Sequence, residues 1–154
     1  MSRRGELDAI VVGGGAIGAA LALGLARDGF DIALVEARAP TPWNPSDDVD
    51  LRVVALASDA RLLFENLGVW TAIAGARIGP YRRMRVWDAL APGELAFDAA
   101  ENGEAALGWI VDNGLVQHAL WSALGAEQSG RVLCPVEVAG VDNDDEDTKG
   151  TNGV

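Results

Sequence analysis

DAIVVGGGAIGAALALGLARDGF, residues 8–30, changes character twice within twenty-three positions. Residues 9–12 (AIVV) are apolar and partly β-branched and stop at glycine, the pattern of a short strand buried on both faces. Residues 16–27 are rich in Ala and Leu, which favour helix, and Gly29 stands where a helix C-cap is expected. DIALVE, residues 31–36, is a second buried strand. Strand, helix and strand within about thirty residues form a βαβ unit, whose crossover is right-handed. At the first junction Gly13, Gly14, Gly15, Ala16, Ile17 and Gly18 match G-x-G-x-x-G. Alone the pattern is weak; leaving a strand and opening a helix, it is what a dinucleotide site requires. Gly13 permits the tight turn, Gly15 lets a pyrophosphate approach the backbone, and Gly18 allows close helix packing. Backbone N–H groups, those of Ala16 and Ile17 among them, then face the phosphates at the positive helix end. Glu36 closes the second strand about twenty residues on, where an acid accepts hydrogen bonds from ribose hydroxyls and repels a 2′-phosphate. This disfavours NADP at the site and leaves NAD and FAD both open.

The remainder is consistent with an α/β chain. Residues 39–50 hold three prolines and several acids, and read as a loop. Ser58 is placed to N-cap a helix carrying Ala60, Leu63, Phe64 and Leu67 at helical spacing, closed by Gly68. Alternation around Met84 and Val86, the Pro92-Gly93 turn, and alternation around Leu95 and Phe97 predict a β-hairpin. Residues 107–111 read as a strand. Val116, Ala119, Leu120 and Ala123 mark a second amphipathic helix. Residues 131–141 are strand-like but interrupted by Pro135, which argues for a break or an edge. The acidic stretch 142–154 shows no packing pattern and is expected to be a solvated tail.

Composition narrows the function. The chain has 154 residues and a formal net charge of −11, which repels nucleic acid and anionic lipid surfaces. With one cysteine, Cys134, and one histidine, His118, neither a disulfide framework nor a cysteine metal site can be built within one chain. Cys134 reads as a small buried hydrophobe, and His118 as a solvated side chain on the polar face of its helix. Arg82, Arg83 and Arg85 read as exposed strand charges that protect an edge. Trp70, Trp87, Trp109 and Trp121 read as core or contact residues rather than stacking platforms. The apolar run after Asp8 contains three glycines and is preceded by acids, so it reads as buried strand and helix, not as a targeting segment. The expectation is a cytoplasmic protein.

Residues 8–30 and 32–38 resemble the opening of group A flavoprotein monooxygenases. DLRVVALASDARLLFENLGVW (50–70), PYRRMRVWDA (80–89) and GWIVDNGLVQHALWSAL (108–124) are similar, in order and spacing, to the aromatic-ring hydroxylases of ubiquinone biosynthesis. The resemblance runs from about residue 8 to residue 141. It implies a three-layer FAD-binding Rossmann-like domain: residues 1–80 form its first part, 81–111 begin a β-rich substrate domain, and 112–141 return to the FAD domain. It implies FAD as cofactor, NAD(P)H as transient electron donor, O2 as co-substrate, and an aromatic polyprenyl-phenol or quinol as substrate. By the same resemblance Arg52 contacts the FAD pyrophosphate side, for which a fixed guanidinium is suited. Arg38 lies near the adenosine, and the backbone of Val138 meets the adenine. Asp112 and Asn113 fall where the family places a polar residue near the flavin chain, but this sequence departs from the family's pattern there and they are left out of the candidate site. No general acid or base is identifiable. Family members are longer, and two further flavin motifs, an Asp-Gly and a Gly-Asp pair, are expected beyond residue 154. A portion incomplete for catalysis, with apolar surface left uncovered, is therefore implied. A lipid-tailed substrate implies peripheral contact with a membrane or with pathway enzymes; homo-oligomerisation stays open. Two other readings share the same opening: an FAD-dependent amine or amino-acid oxidase, which needs no NAD(P)H, and a nucleotide-binding portion without turnover.

Overall fold

The structure, a computed structural model, describes residues 7–90 and 92–141. The acidic tail at 142–154 lies outside them. Strand β1 (Ala9–Val12), helix α1 (Ala16–Arg27) and strand β2 (Ile32–Val35) form the expected βαβ unit. β1 and β2 pair in parallel, and β8 (Gly130–Leu133) pairs in parallel with the far edge of β2. β2 is therefore central, and all four of its residues are buried. That burial explains its unbroken apolar sequence. Helix α1 turns Ala19, Ala22, Leu23 and Ala26 inward, a helical stripe of mostly small side chains. The stripe lets α4 (Asn113–Leu124) lie close and present Leu115, Val116, Ala119, Leu120 and Leu124 to the same core.

A second sheet runs antiparallel in the order β3 (Val53–Leu56), β7 (Gly108–Asp112), β4 (Ile78–Tyr81). Helices α2 (Ser58–Asn66) and α3 (Trp70–Ala76) connect β3 to β4 and contribute Phe64 and Ile73 to the core. Leu23, Ile32, Leu34, Ile73, Leu120 and Leu124 are fully buried. Each such side chain contributes about 1.5–3 kcal/mol relative to exposure. A third sheet is the hairpin of β5 (Arg83–Trp87) and β6 (Glu94–Asp98).

Several details differ from the sequence expectations. β3, α3 and β4 carry too few periodic residues to be recognised alone. Ala57, not Ser58, is the N-cap of α2, and no side chain caps that end. The last strand stops at Leu133, just before Pro135, where the sequence argues for a break, because proline offers no N–H to a ladder. Cys134 is half-buried rather than buried. Of residues 81–111, only β5 and β6 form a separate sheet, while β7 pairs with β3 and β4. Among the described residues, no helix is long and apolar enough to cross a membrane.

Candidate functional site

The glycine loop sits where β1 ends and α1 begins. Gly13 has φ +100°, a conformation that side chains disfavour, and its N–H donates to Val35 O at 2.8 Å. Gly15 is the N-cap of α1, with φ −65° and ψ 178° and no capping side chain. The opening N–H groups of a helix have no earlier carbonyl to bond. They therefore remain available at Ala16 and Ile17, at the positive end of the helix. Ile17 is 88% exposed, so the main chain is what it offers inward. Among the described residues, a Cβ built on Gly15 would meet nothing within 4 Å. A Cβ on Gly18 would collide with the Gly13 carbonyl oxygen and lie 3.5 Å from Val11 Cγ1. The two glycines thus serve different ends: Gly18 closes the loop on itself, and Gly15 keeps the approach to the backbone clear.

Glu36 follows β2 directly. One carboxylate oxygen accepts from the Gly14 N–H at 2.5 Å, and the other from the Arg38 N–H at 3.0 Å. These N–H groups, Arg38 foremost and then Gly14, hold the carboxyl below its ordinary value; burial opposes them and the Arg38 charge adds to them. An ionised carboxylate has about four lone-pair positions, so acceptor capacity remains for hydroxyls. Glu36, Gly13 and Val138 line one cavity of about 340 Å³, with Val12, Ala37 and Val136. The Val136 N–H donates to Glu36 O at 2.9 Å, which ties the segment after β8 to the acid.

Arg38 is exposed beside Glu36. Arg52 is exposed at the entry to β3, where its N–H donates to Asp50 Oδ1 at 3.0 Å and its carbonyl accepts from the Asn113 N–H at 3.0 Å. The structure therefore brings Gly13, Gly15, Glu36, Arg38 and Val138 to one end of the parallel sheet and fixes the Arg52 backbone on the first residue of α4. Asp112, just before α4, is 3% exposed. Arg77 Nη1 meets its Oδ2 at 3.2 Å, while its Oδ1 has no partner among the described residues. Arg77 also donates to Pro45 O and Asp47 O at 3.0 and 2.7 Å, so the pair staples the 39–50 loop.

Sequence reasoning missed Gln117 and Trp121. Gln117 Nε2 and Trp121 Nε1 both donate to Gly14 O, at 2.6 and 2.7 Å. Their spacing of four shows that they share a helix face, but nothing in the sequence says that this face meets residue 14. A larger groove between α1 and α2, about 480 Å³ and lined by Ile17, Leu21, Leu63, Phe64 and Leu67, is apolar and lies apart from Glu36.

Open backbone donors at a helix start, an acid at a strand end and a cavity beside both fit the adenosine-diphosphate part of a dinucleotide. Comparison with known proteins agrees. The family model described as FAD dependent oxidoreductase matches residues 8–47. The chain is 39% identical over 125 residues to 3-demethoxyubiquinol 3-hydroxylase of Escherichia coli, covering 81% of this chain and 32% of that protein. It is 33% identical over 124 residues to the human ubiquinone biosynthesis monooxygenase COQ6, mitochondrial, covering 77% and 26%.

The chain resembles the N-terminal part of the ubiquinone-biosynthesis hydroxylase family of FAD-dependent monooxygenases.

It spans about a third or less of the length of the curated relatives it matches. The flavin monooxygenase fold is shared by PqsL of Pseudomonas aeruginosa, a probable FAD-dependent monooxygenase, with TM-score 0.67, 17% identity, and coverage of 90% of this chain and 35% of that one. For p-nitrophenol 4-monooxygenase PnpA of Pseudomonas putida the values are 0.65, 18%, 88% and 33%.

Proposed function

We propose that this chain builds the adenosine-diphosphate side of the FAD site in an aromatic-ring hydroxylase acting on a polyprenylated phenol or quinol. The open space over Gly15, at the start of α1 and beside Glu36, carries this reading. Gly15, Ala16 and Ile17 hold the pyrophosphate through main-chain N–H groups, Gly13 makes the tight turn that presents them, and Gly18 keeps that loop closed. Glu36 accepts the ribose hydroxyls. Arg38 and Arg52 supply positive charge toward adenosine and pyrophosphate. When bound, FAD supplies the redox chemistry, with NAD(P)H as reductant and O2 as the oxygen source. The residues of this chain bind and orient the cofactor, none is assigned a proton transfer, and residues 81–111 begin the substrate domain. The polyprenyl tail of such a substrate favours peripheral contact with a membrane or with neighbouring enzymes of the pathway, and self-association is compatible with the same arrangement. A cytoplasmic location completes the proposal.

The test is flavin retention. The purified chain, mixed with excess FAD and desalted, is expected to keep a shifted flavin absorption spectrum. Gly15→Val places a branched side chain in the phosphate approach, at backbone angles valine adopts readily. It is expected to lose the flavin while its thermal midpoint stays within a few degrees of the parent. Equal retention by parent and variant would remove the glycine loop from the site.

A further inference from the structure

We infer that Gln117 and Trp121 are positioning residues for the nucleotide, and that α4 is the rod that sets the glycine loop against Arg52. The inference rests on the FAD reading above. A loop peptide can turn either its N–H or its C=O toward an anion, and only the first is productive. Carbonyl and N–H of a trans peptide point in opposite directions. Gln117 and Trp121 both donate to Gly14 O, at 2.6 and 2.7 Å, and so occupy both of its lone pairs. With the carbonyl held toward α4, the Gly15 N–H of the same peptide must face the opposite, open side. Glu36 holds the Gly14 N–H at 2.5 Å, so this residue is fixed at both of its polar groups.

The same contact explains a glycine that G-x-G-x-x-G leaves free. A Cβ on Gly14 would lie 2.5 Å from Trp121 Cζ2 and 3.1 Å from Glu36 Cβ. Gly14 is thus small for the indole and the acid, not for the ligand. At the start of the same helix the Asn113 N–H holds Arg52 O at 3.0 Å. Residues 113, 117 and 121 recur every fourth position and share one face. At 1.5 Å rise per residue the two attachment points are about 6–12 Å apart along the axis. Arg52 and the loop are therefore spaced by one rigid element rather than by the intervening loops.

The experiment uses the whole chain with Trp121→Phe, which keeps an aromatic ring but removes the donor, and Gln117→Met, which removes the other donor at similar length. Dissociation constants for FAD and for ADP are measured by titration, with amide hydrogen exchange of residues 13–18 followed without ligand. Each variant is expected to bind FAD and ADP about five- to tenfold more weakly, the loss of one hydrogen bond. The double variant should lose more, and ADP should lose as much as FAD because both carry the diphosphate. Exchange at residues 15–18 should quicken while the interior of α1 stays protected. Affinities equal to the parent overturn the inference, whatever the exchange shows. Weaker binding caused by general loosening would instead speed exchange throughout α1 and α4, and would also overturn it. If the parent binds neither ADP nor FAD, the nucleotide reading falls and the positioning role falls with it. Quickened exchange in the variants would then mark these bonds as purely structural.

Discussion

The glycine loop and the β5–β6 hairpin are both built around glycine-bearing turns, yet they are held in opposite ways. The bonds that fix Gly14 come from residues 22, 103 and 107 positions away. The ion pairs across the hairpin, Arg83–Asp98 and Arg85–Glu94, join residues 15 and 9 positions apart. The loop is therefore a product of the whole fold and is rigid only when β2 and α4 are in place. The hairpin is a product of its own sequence. It leaves Met84, Val86, Leu95 and Phe97 between 42% and 63% exposed, and a two-stranded sheet alone is marginally stable. Distant attachment gives a site whose shape is specified; local attachment gives an element that is formed but not covered.

The strongest way to break the first half of this contrast is Gly18→Val. Its side chain must displace the Gly13 carbonyl, and the loop cannot move without drawing on Val35, Glu36 and α4. Overpacking of this kind is expected to cost about 3 kcal/mol or more, with FAD binding lost at the same time, as read by urea denaturation and flavin retention. Gly15→Val should lose flavin alone. A Gly18→Val chain as stable as its parent would mean that the loop is not interlocked with the fold.

Next in size is Arg77→Ala. It strands the Asp112 carboxylate, 3% exposed and with one oxygen already unpartnered, and frees the carbonyls of Pro45 and Asp47. Breaking a fully buried pair costs about 3–5 kcal/mol. Arg77 is 28% exposed in its side chain, so solvent screening reduces the expected loss to about 2 kcal/mol. Denaturation midpoints of the parent and of Arg77→Ala decide it; a change below about 0.5 kcal/mol would show that the 39–50 loop is not stapled by this pair.

How much of this was legible in the sequence follows the same division. β1, α1, β2 and the hairpin were readable because each carries its own period and its own turn residues. Gly13, Gly15, Gly18 and Glu36 were readable because strand, loop, helix and acid lie within one continuous stretch. β3 and β4 were not, since four-residue strands without alternation gain their identity only by pairing with β7. Gln117 and Trp121 could not be found because the property that matters, a shared acceptor at residue 14, belongs to the packing of α4 on α1. The resemblance to flavin hydroxylases placed Arg52 near the phosphates, but the backbone bond to Asn113 that fixes it emerges only in three dimensions.

A smaller effect sharpens the electrostatic part of the loop. Glu36 has its folded-state pKa lowered from 4.5, chiefly by the N–H groups of Arg38 and Gly14. A lowered carboxyl pKa adds stability that is fully present above the unfolded value and is lost as pH falls through the folded one. Chemical denaturation between pH 6 and 3 should therefore show the parent losing stability below about pH 4.5 more steeply than Glu36→Gln. Parallel profiles would mean that the main-chain N–H groups do not favour the ionised form.

The smallest expected effect tests the other half of the contrast. Met84 faces Phe97 and Val86 faces Leu95 across the β5–β6 ladder, so these four side chains form one apolar strip. If the strip is uncovered in solution, replacing Val86 and Leu95 together with threonine removes no buried contact, and threonine carries the β-branching that suits a strand. Stability should stay within about 0.5 kcal/mol of the parent, while fluorescence of an apolar-surface dye such as anilinonaphthalene sulfonate falls. A loss above about 1 kcal/mol would place the strip against another surface, either elsewhere in the chain or on a second copy. Dilution separates those cases: stability supplied by a second copy weakens as protein concentration falls, and stability supplied within one chain does not. The hairpin would then be held, like the glycine loop, by residues distant in sequence or in another molecule, and the difference between the two regions would vanish.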